Sequence, residues 1–84
     1  MQSSYPLNAA CVAAMQEQVA REFEAFYAYQ ALGCYFEHPD VALFNVASYF
    51  HDMAMEETDH AKKFQSYLIM RGVQPVFRDL KAFN

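Results

Sequence analysis

Glycine and proline are scarce in this 84-residue chain, two and three residues respectively, and tryptophan is absent. So little glycine and proline excludes a loop-rich or low-complexity chain, and no stretch has the polar composition of a disordered segment. Basic residues are also few: six Lys and Arg stand against ten Asp and Glu, a formal net charge of −4. No basic cluster exists to form an electrostatic footprint for nucleic acid or an anionic membrane surface, so neither partner is expected. No run approaches the roughly 20 consecutive apolar residues that a membrane span requires. The opening residues Met1-Gln2-Ser3-Ser4-Tyr5-Pro6 lack the basic and apolar blocks of a secretory leader. A cytoplasmic location is therefore expected. Only Cys11 and Cys34 could form a disulfide, and on one helix they would lie roughly 35 Å apart. They are expected to be free, partly buried thiols rather than a bridge.

What remains is helix-forming and strongly apolar, with 55% hydrophobic and 17% aromatic residues. Asn8 followed by Ala9-Ala10-Cys11-Val12-Ala13-Ala14-Met15 reads as an N-cap and a run of helix formers, predicting a first helix over about 9–36. Glu37-His38-Pro39 ends it, and Pro39-Asp40 is expected to open a second helix over about 40–71, stopped by Gly72. A short connection between two long helices predicts antiparallel neighbours. The segment 72–84 loses helical period around Pro75 and reads as an extended tail or short strand whose Val76, Phe77 and Leu80 dock on a neighbour. The expected fold is all-α, a two-helix antiparallel hairpin in a single domain spanning 1–84. A core this small supplies roughly 3–5 kcal/mol, so a partner chain is expected to complete it.

Both helices carry one charge in the wrong place. The apolar stripe of the second runs Leu43, Ala47, Phe50, Ala54, Glu57, Ala61, Phe64 and Leu68, and Glu57 is its only charged member. The stripe of the first runs Val12, Met15, Val19, Glu22, Phe26, Tyr29, Gly33 and Phe36, interrupted only by Glu22. Counted from the predicted turn, Glu22 and Glu57 lie at roughly 23 and 26 Å, nearly the same depth. The stripe assignment does not force that agreement. His60 is one turn beyond Glu57 on the same side of the helix.

A buried carboxylate is costly unless it is paired with a cation or ligates a metal, and neither stripe contains Lys or Arg. The bland alternative, two carboxylates at a wet groove edge, leaves the Glu57-x-x-His60 spacing unexplained, and that spacing is a di-iron ligand arrangement on bundle helices. Two carboxylates and an imidazole suit iron and also admit zinc or manganese, with coordination positions left open. Tyr29, two turns from Glu22 on its stripe, is expected either to pack in the core or to approach the metal region. Glu56 lies beside the site toward the polar row of Asp52, Asp59 and Lys63. His38 in the turn and His51 at the stripe's edge are expected to be non-ligands. Glu17 and Arg21, four residues apart, read as an ion pair on a solvated face.

Glu22 with Tyr29 seven residues on, Tyr35-Phe36, Asp40-Val41-Ala42-Leu43, Tyr49-Phe50 and Glu56-Glu57-x-x-His60-Ala61-x-Lys63 closely resemble the first half of a eukaryotic heavy-chain-type ferritin subunit. The resemblance covers nearly the whole chain. It implies half of a ferritin-like four-helix bundle, with Glu22, Glu57 and His60 as ligands of a di-iron ferroxidase centre. It further implies Glu57 as the bridge between two irons, Tyr29 as a nearby phenol and Glu56 as an accessory iron-binding position. The implied function is oxidation of Fe(II) by oxygen for iron storage in an assembled oligomer. The family's third-helix carboxylate and fourth-helix glutamine have no counterpart here, and Gly72-Val73 and Pro75 depart from its pattern. The expected partner is a second copy, forming a homodimer, or a complementary ferritin half. The alternatives are a truncated or split half that serves as an assembly piece without activity of its own, and an idle helical interaction module.

Overall fold

A computed structural model describes residues 8–80. Helix α1 spans Ala9–Glu37 and helix α2 spans Phe44–Met70, and no strand occurs among the described residues. The expected N-cap is in place: the Asn8 side chain accepts from the Ala10 backbone N–H at 2.7 Å, satisfying one of the donors left open at a helix start. The expected stop is in place too. Val73 N–H donates to Leu68 O and Gly72 N–H to Ile69 O, the paired bonds of a Schellman motif, with Gly72 at φ 80°.

The second helix begins at Phe44, four residues later than the sequence suggests. His38 O accepts from both Val41 N–H and Ala42 N–H, and the His38 ring Nδ1 accepts from Asp40 N–H at 3.2 Å. Pro39 and Asp40 are thus consumed in reversing the chain. Ala42 at φ 52° closes the turn in a conformation that no helix can continue, and Leu43 N–H returns to Phe36 O. Leu43, expected in the apolar stripe, is consequently exposed at the turn.

Antiparallel packing follows from the register. Tyr29 stacks on Phe50, and seven residues back along α1 Glu22 lies against Glu57, seven residues forward along α2. The buried seam of α2 is Ala47, Ala54, Ala61 and Leu68, spaced by seven throughout. That spacing keeps one row facing the partner helix, and its alanines let the backbones approach closely. At Gly33 the approach is close: a Cβ there would stand 2.6–2.8 Å from three ring atoms of His51. The other half of the predicted stripe, Phe50, Glu57 and Phe64, is only half-buried.

The reason is thickness. The molecule measures 55 × 23 × 14 Å, and its smallest dimension is close to one helix diameter of about 10–12 Å, so it is a single layer. One layer can enclose the seam between the helices but not the rows beside it. The tail returns along α1: the Gln16 side chain donates to Gln74 O at 3.2 Å and accepts from Val76 N–H at 2.9 Å, and Arg78 pairs with Glu17. Val76, Phe77 and Leu80 line a groove of about 310 Å³ with Val19, Ala20 and Phe23 of the chain's own first helix, and all three stay exposed in part. No helix among the described residues is long and apolar enough to cross a membrane.

Candidate metal centre

Glu22, Glu57 and His60, picked out by their spacing, converge. One ligand atom from each lies within 4.8 Å of the others, and they are the one group of this kind among the described residues. His60 Nδ1 stands 3.4 Å from Glu22 Oε2 and 3.8 Å from Glu57 Oε2. The carboxylate side chains are 12% and 15% exposed while His60 is 49% exposed, so the anionic oxygens sit inside the hairpin and the imidazole forms the rim.

The electrostatics follow from two carboxylates sharing one small space. Glu57 is pushed above its ordinary value, first by donating a hydrogen bond to Glu22, then by burial and by the Glu22 charge. Burial pushes Glu22 upward as well, but hydrogen bonds from Glu57 and Gln18 and the neighbouring His60 outweigh it, leaving Glu22 below its ordinary value. Sharing this space drives the two apart, Glu57 upward and Glu22 downward. Gln18 Nε2 donates to Glu22 Oε1 at 2.7 Å. Glu22 Oε2 is buried and has no hydrogen-bond partner.

That orphaned oxygen is a test of fit for a metal. A buried charged acceptor without a donor is costly, and among the described residues no lysine or arginine forms an ion pair with it. A divalent cation bound by two carboxylate oxygens and one imidazole nitrogen would satisfy it with a donor set suited to iron, zinc or manganese. The residues present fit such an ion.

The remaining candidates fall outside this group. Tyr29 is half-buried and stacks on Phe50, with ring centroids 6.1 Å apart. Glu56 is exposed and acts on the centre through its charge, which helps to raise Glu57. His51 is a packing residue, as expected: Nδ1 lies 2.8 Å from Gln30 Oε1 and Nε2 3.4 Å from Glu37 Oε1. Cys11 and Cys34 are free but exposed rather than partly buried. Sequence reasoning missed Gln18. Its one-turn spacing from Glu22 is the signal that could have found it.

Comparison with known proteins places the chain among relatives. The model of the ferritin family, described as a ferritin-like domain, matches residues 12–84. Ferritin middle subunit of Aquarana catesbeiana is 39% identical over 71 residues, covering 84% of this chain and 40% of that protein. The chloroplastic Ferritin-2 of Zea mays is 42% identical over 78 residues, covering 88% of this chain and 31% of that protein. For the chloroplastic Ferritin-4 of Arabidopsis thaliana the figures are 37% over 78 residues, 88% and 30%. The chain thus spans well under half the length of these relatives.

Proposed function

The chain belongs to the ferritin family, and on that premise we propose that it binds Fe(II) through Glu22, Glu57 and His60 and supports its oxidation by oxygen for iron storage. The observation that carries this reading is the buried, unbonded Oε2 of Glu22, held 3.4 Å from the His60 ring. Iron is here the substrate. Each Fe(II) gives one electron to oxygen, which is reduced with uptake of protons. In this proposal Glu57 would bridge two metal ions, and metal binding favours its ionised form. Glu56, exposed beside the centre, is the accessory position that passes cations inward, and Tyr29 supplies a phenol to the surrounding shell. Zinc and manganese are expected to compete for the same donors.

Three ligands on a single-layer hairpin make half of a di-iron centre. Two copies facing each other across the open side would contribute two glutamates from α1 and two Glu-x-x-His pairs from α2, the full set of a symmetric di-iron four-helix bundle. The half-exposed His60 is the feature that favours such a partner, and a complementary half would serve the same purpose. The cytosol, with its reducing environment and free thiols, is the proposed location.

The test is sedimentation of the purified chain with and without Fe(II), combined with oxygen uptake. A dimer or larger assembly that takes up iron and consumes oxygen rapidly is the expected result. An assembly that binds iron without consuming oxygen leaves the chain as an assembly piece, and a chain that binds no iron overturns the proposal.

A further inference from the structure

We propose that Gln18 is a positioning residue for the metal centre, holding Glu22 Oε1 so that Oε2 alone is presented as the ligating oxygen. This inference rests on the metal-binding reading above and concerns how one ligand is aimed. Gln18 lies one helical turn before Glu22, and its Nε2 reaches Oε1 at 2.7 Å, the short distance of a hydrogen bond to a charged acceptor. The direction of that bond is forced: an ionised carboxylate only accepts, so the amide must turn its nitrogen toward it. Glu22 is 12% exposed, which leaves little room for its carboxylate to swing. With Oε1 occupied, the remaining oxygen is the one that faces His60 and has no hydrogen-bond donor of its own.

A carboxylate can grip a metal with one oxygen or two. The Gln18 bond favours one, because two-oxygen binding would have to give up a charge-assisted hydrogen bond in a poorly solvated place. It also fixes the Glu22 rotamer before any metal arrives, in the way that outer hydrogen-bonding partners orient metal ligands elsewhere. Gln16, two residues upstream, provides an internal contrast: its amide clamps the backbone of the tail at Gln74 and Val76 and has no part in the centre.

The experiment titrates the full 84-residue chain with Co(II), whose visible absorption reports ligand number and geometry. Wild type, Gln18→Leu, Gln16→Leu and Glu22→Gln are compared. Gln18→Leu is expected to weaken Co(II) binding on the order of 10-fold and to change the visible band, with helix content unaltered. Gln16→Leu should leave both affinity and band at wild-type values. Infrared difference spectra of the wild type with and without Co(II), assigned against Glu22→Gln, should show Glu22 binding through one oxygen. That measurement decides the matter even if Gln18→Leu does not fold. Unchanged affinity and band in Gln18→Leu, or two-oxygen binding in the wild type, overturns the role of Gln18 while leaving the metal centre standing. A wild type that binds no Co(II) and no Fe(II) overturns both.

Discussion

Two regions of the hairpin bring a histidine of α2 within reach of a glutamate of α1, and they settle differently. Toward the turn, His51 lies flat against Gly33 with one ring nitrogen on Gln30 and the other on Glu37. Near mid-hairpin, His60 lies between two carboxylates at 3.4 and 3.8 Å, and one buried oxygen beside it has no donor. Both nitrogens of the first ring already have partners within the chain, and Glu37 keeps most of its hydration because it is exposed. The second pairing is incomplete, in a place where water cannot make up the difference. A histidine beside a glutamate says little about metal binding; the state of the carboxylate says more.

The largest expected effect comes from exchanging the roles of the two rings. His60→Ala should weaken Co(II) or Fe(II) binding by more than about 100-fold, beyond what loss of a merely supporting residue costs. His51→Ala should leave metal affinity unchanged while lowering the melting temperature. Calorimetric titration and thermal unfolding of the two variants check the contrast, and metal affinity that falls equally in both would erase it.

A smaller effect tests the packed ring. Gly33→Ala places a Cβ within 2.8 Å of His51, so the ring must swing and give up Gln30 and Glu37. Overpacking of this kind costs about 1–3 kcal/mol, against about 1 kcal/mol gained in helix propensity, so net destabilisation is expected in urea unfolding. In a His51→Ala background the sign should reverse, because only the propensity gain survives. A stabilising Gly33→Ala in the wild type would show that the ring contact is incidental.

The smallest effect extends the contrast to the glutamates of α1. Glu17, exposed, is satisfied by arginines: its hydrogen bond and charge contact with Arg78 hold its carboxyl below the ordinary value, and Arg21 is 3.5 Å away. A depressed folded value means the contribution is present above the ordinary carboxylate range, and is lost as pH falls through the folded value, in the acidic range below about pH 4.3. The expected outcome is a modest, salt-sensitive release of the tail in acid, visible in the Val76 amide resonance and absent in Arg78→Ala.

The parts of the molecule legible in the sequence were those fixed by local chemistry or helical period. Asn8 caps because its side chain reaches the helix start, Gly72 stops α2 because only glycine accepts its φ without strain, and Glu22 and Glu57 meet because period and rise place both at one depth. The start of α2 was not legible, since Pro39-Asp40 can open a helix or serve a turn and the choice depends on how the chain must cross to its neighbour. Gln18 was hidden because a glutamine one turn from a glutamate is ordinary on any helix. The tail looked able to dock elsewhere until Gln16 and Glu17 were seen to receive it.

The sequence by itself determined two helices, their antiparallel pairing and the two carboxylates and histidine that share a face, because hydrophobic period and helical rise are properties of the chain alone. Only the tertiary structure decided that one oxygen of Glu22 is claimed by Gln18 and the other left bare, that the neighbouring Glu22 pushes Glu57 above its ordinary value, and that His60 stands half open to the side. Those outcomes depend on separations of a few ångströms between α1 and α2, set by the alanine seam and Gly33, and side-chain hydrogen bonding and charge sharing change over just such distances.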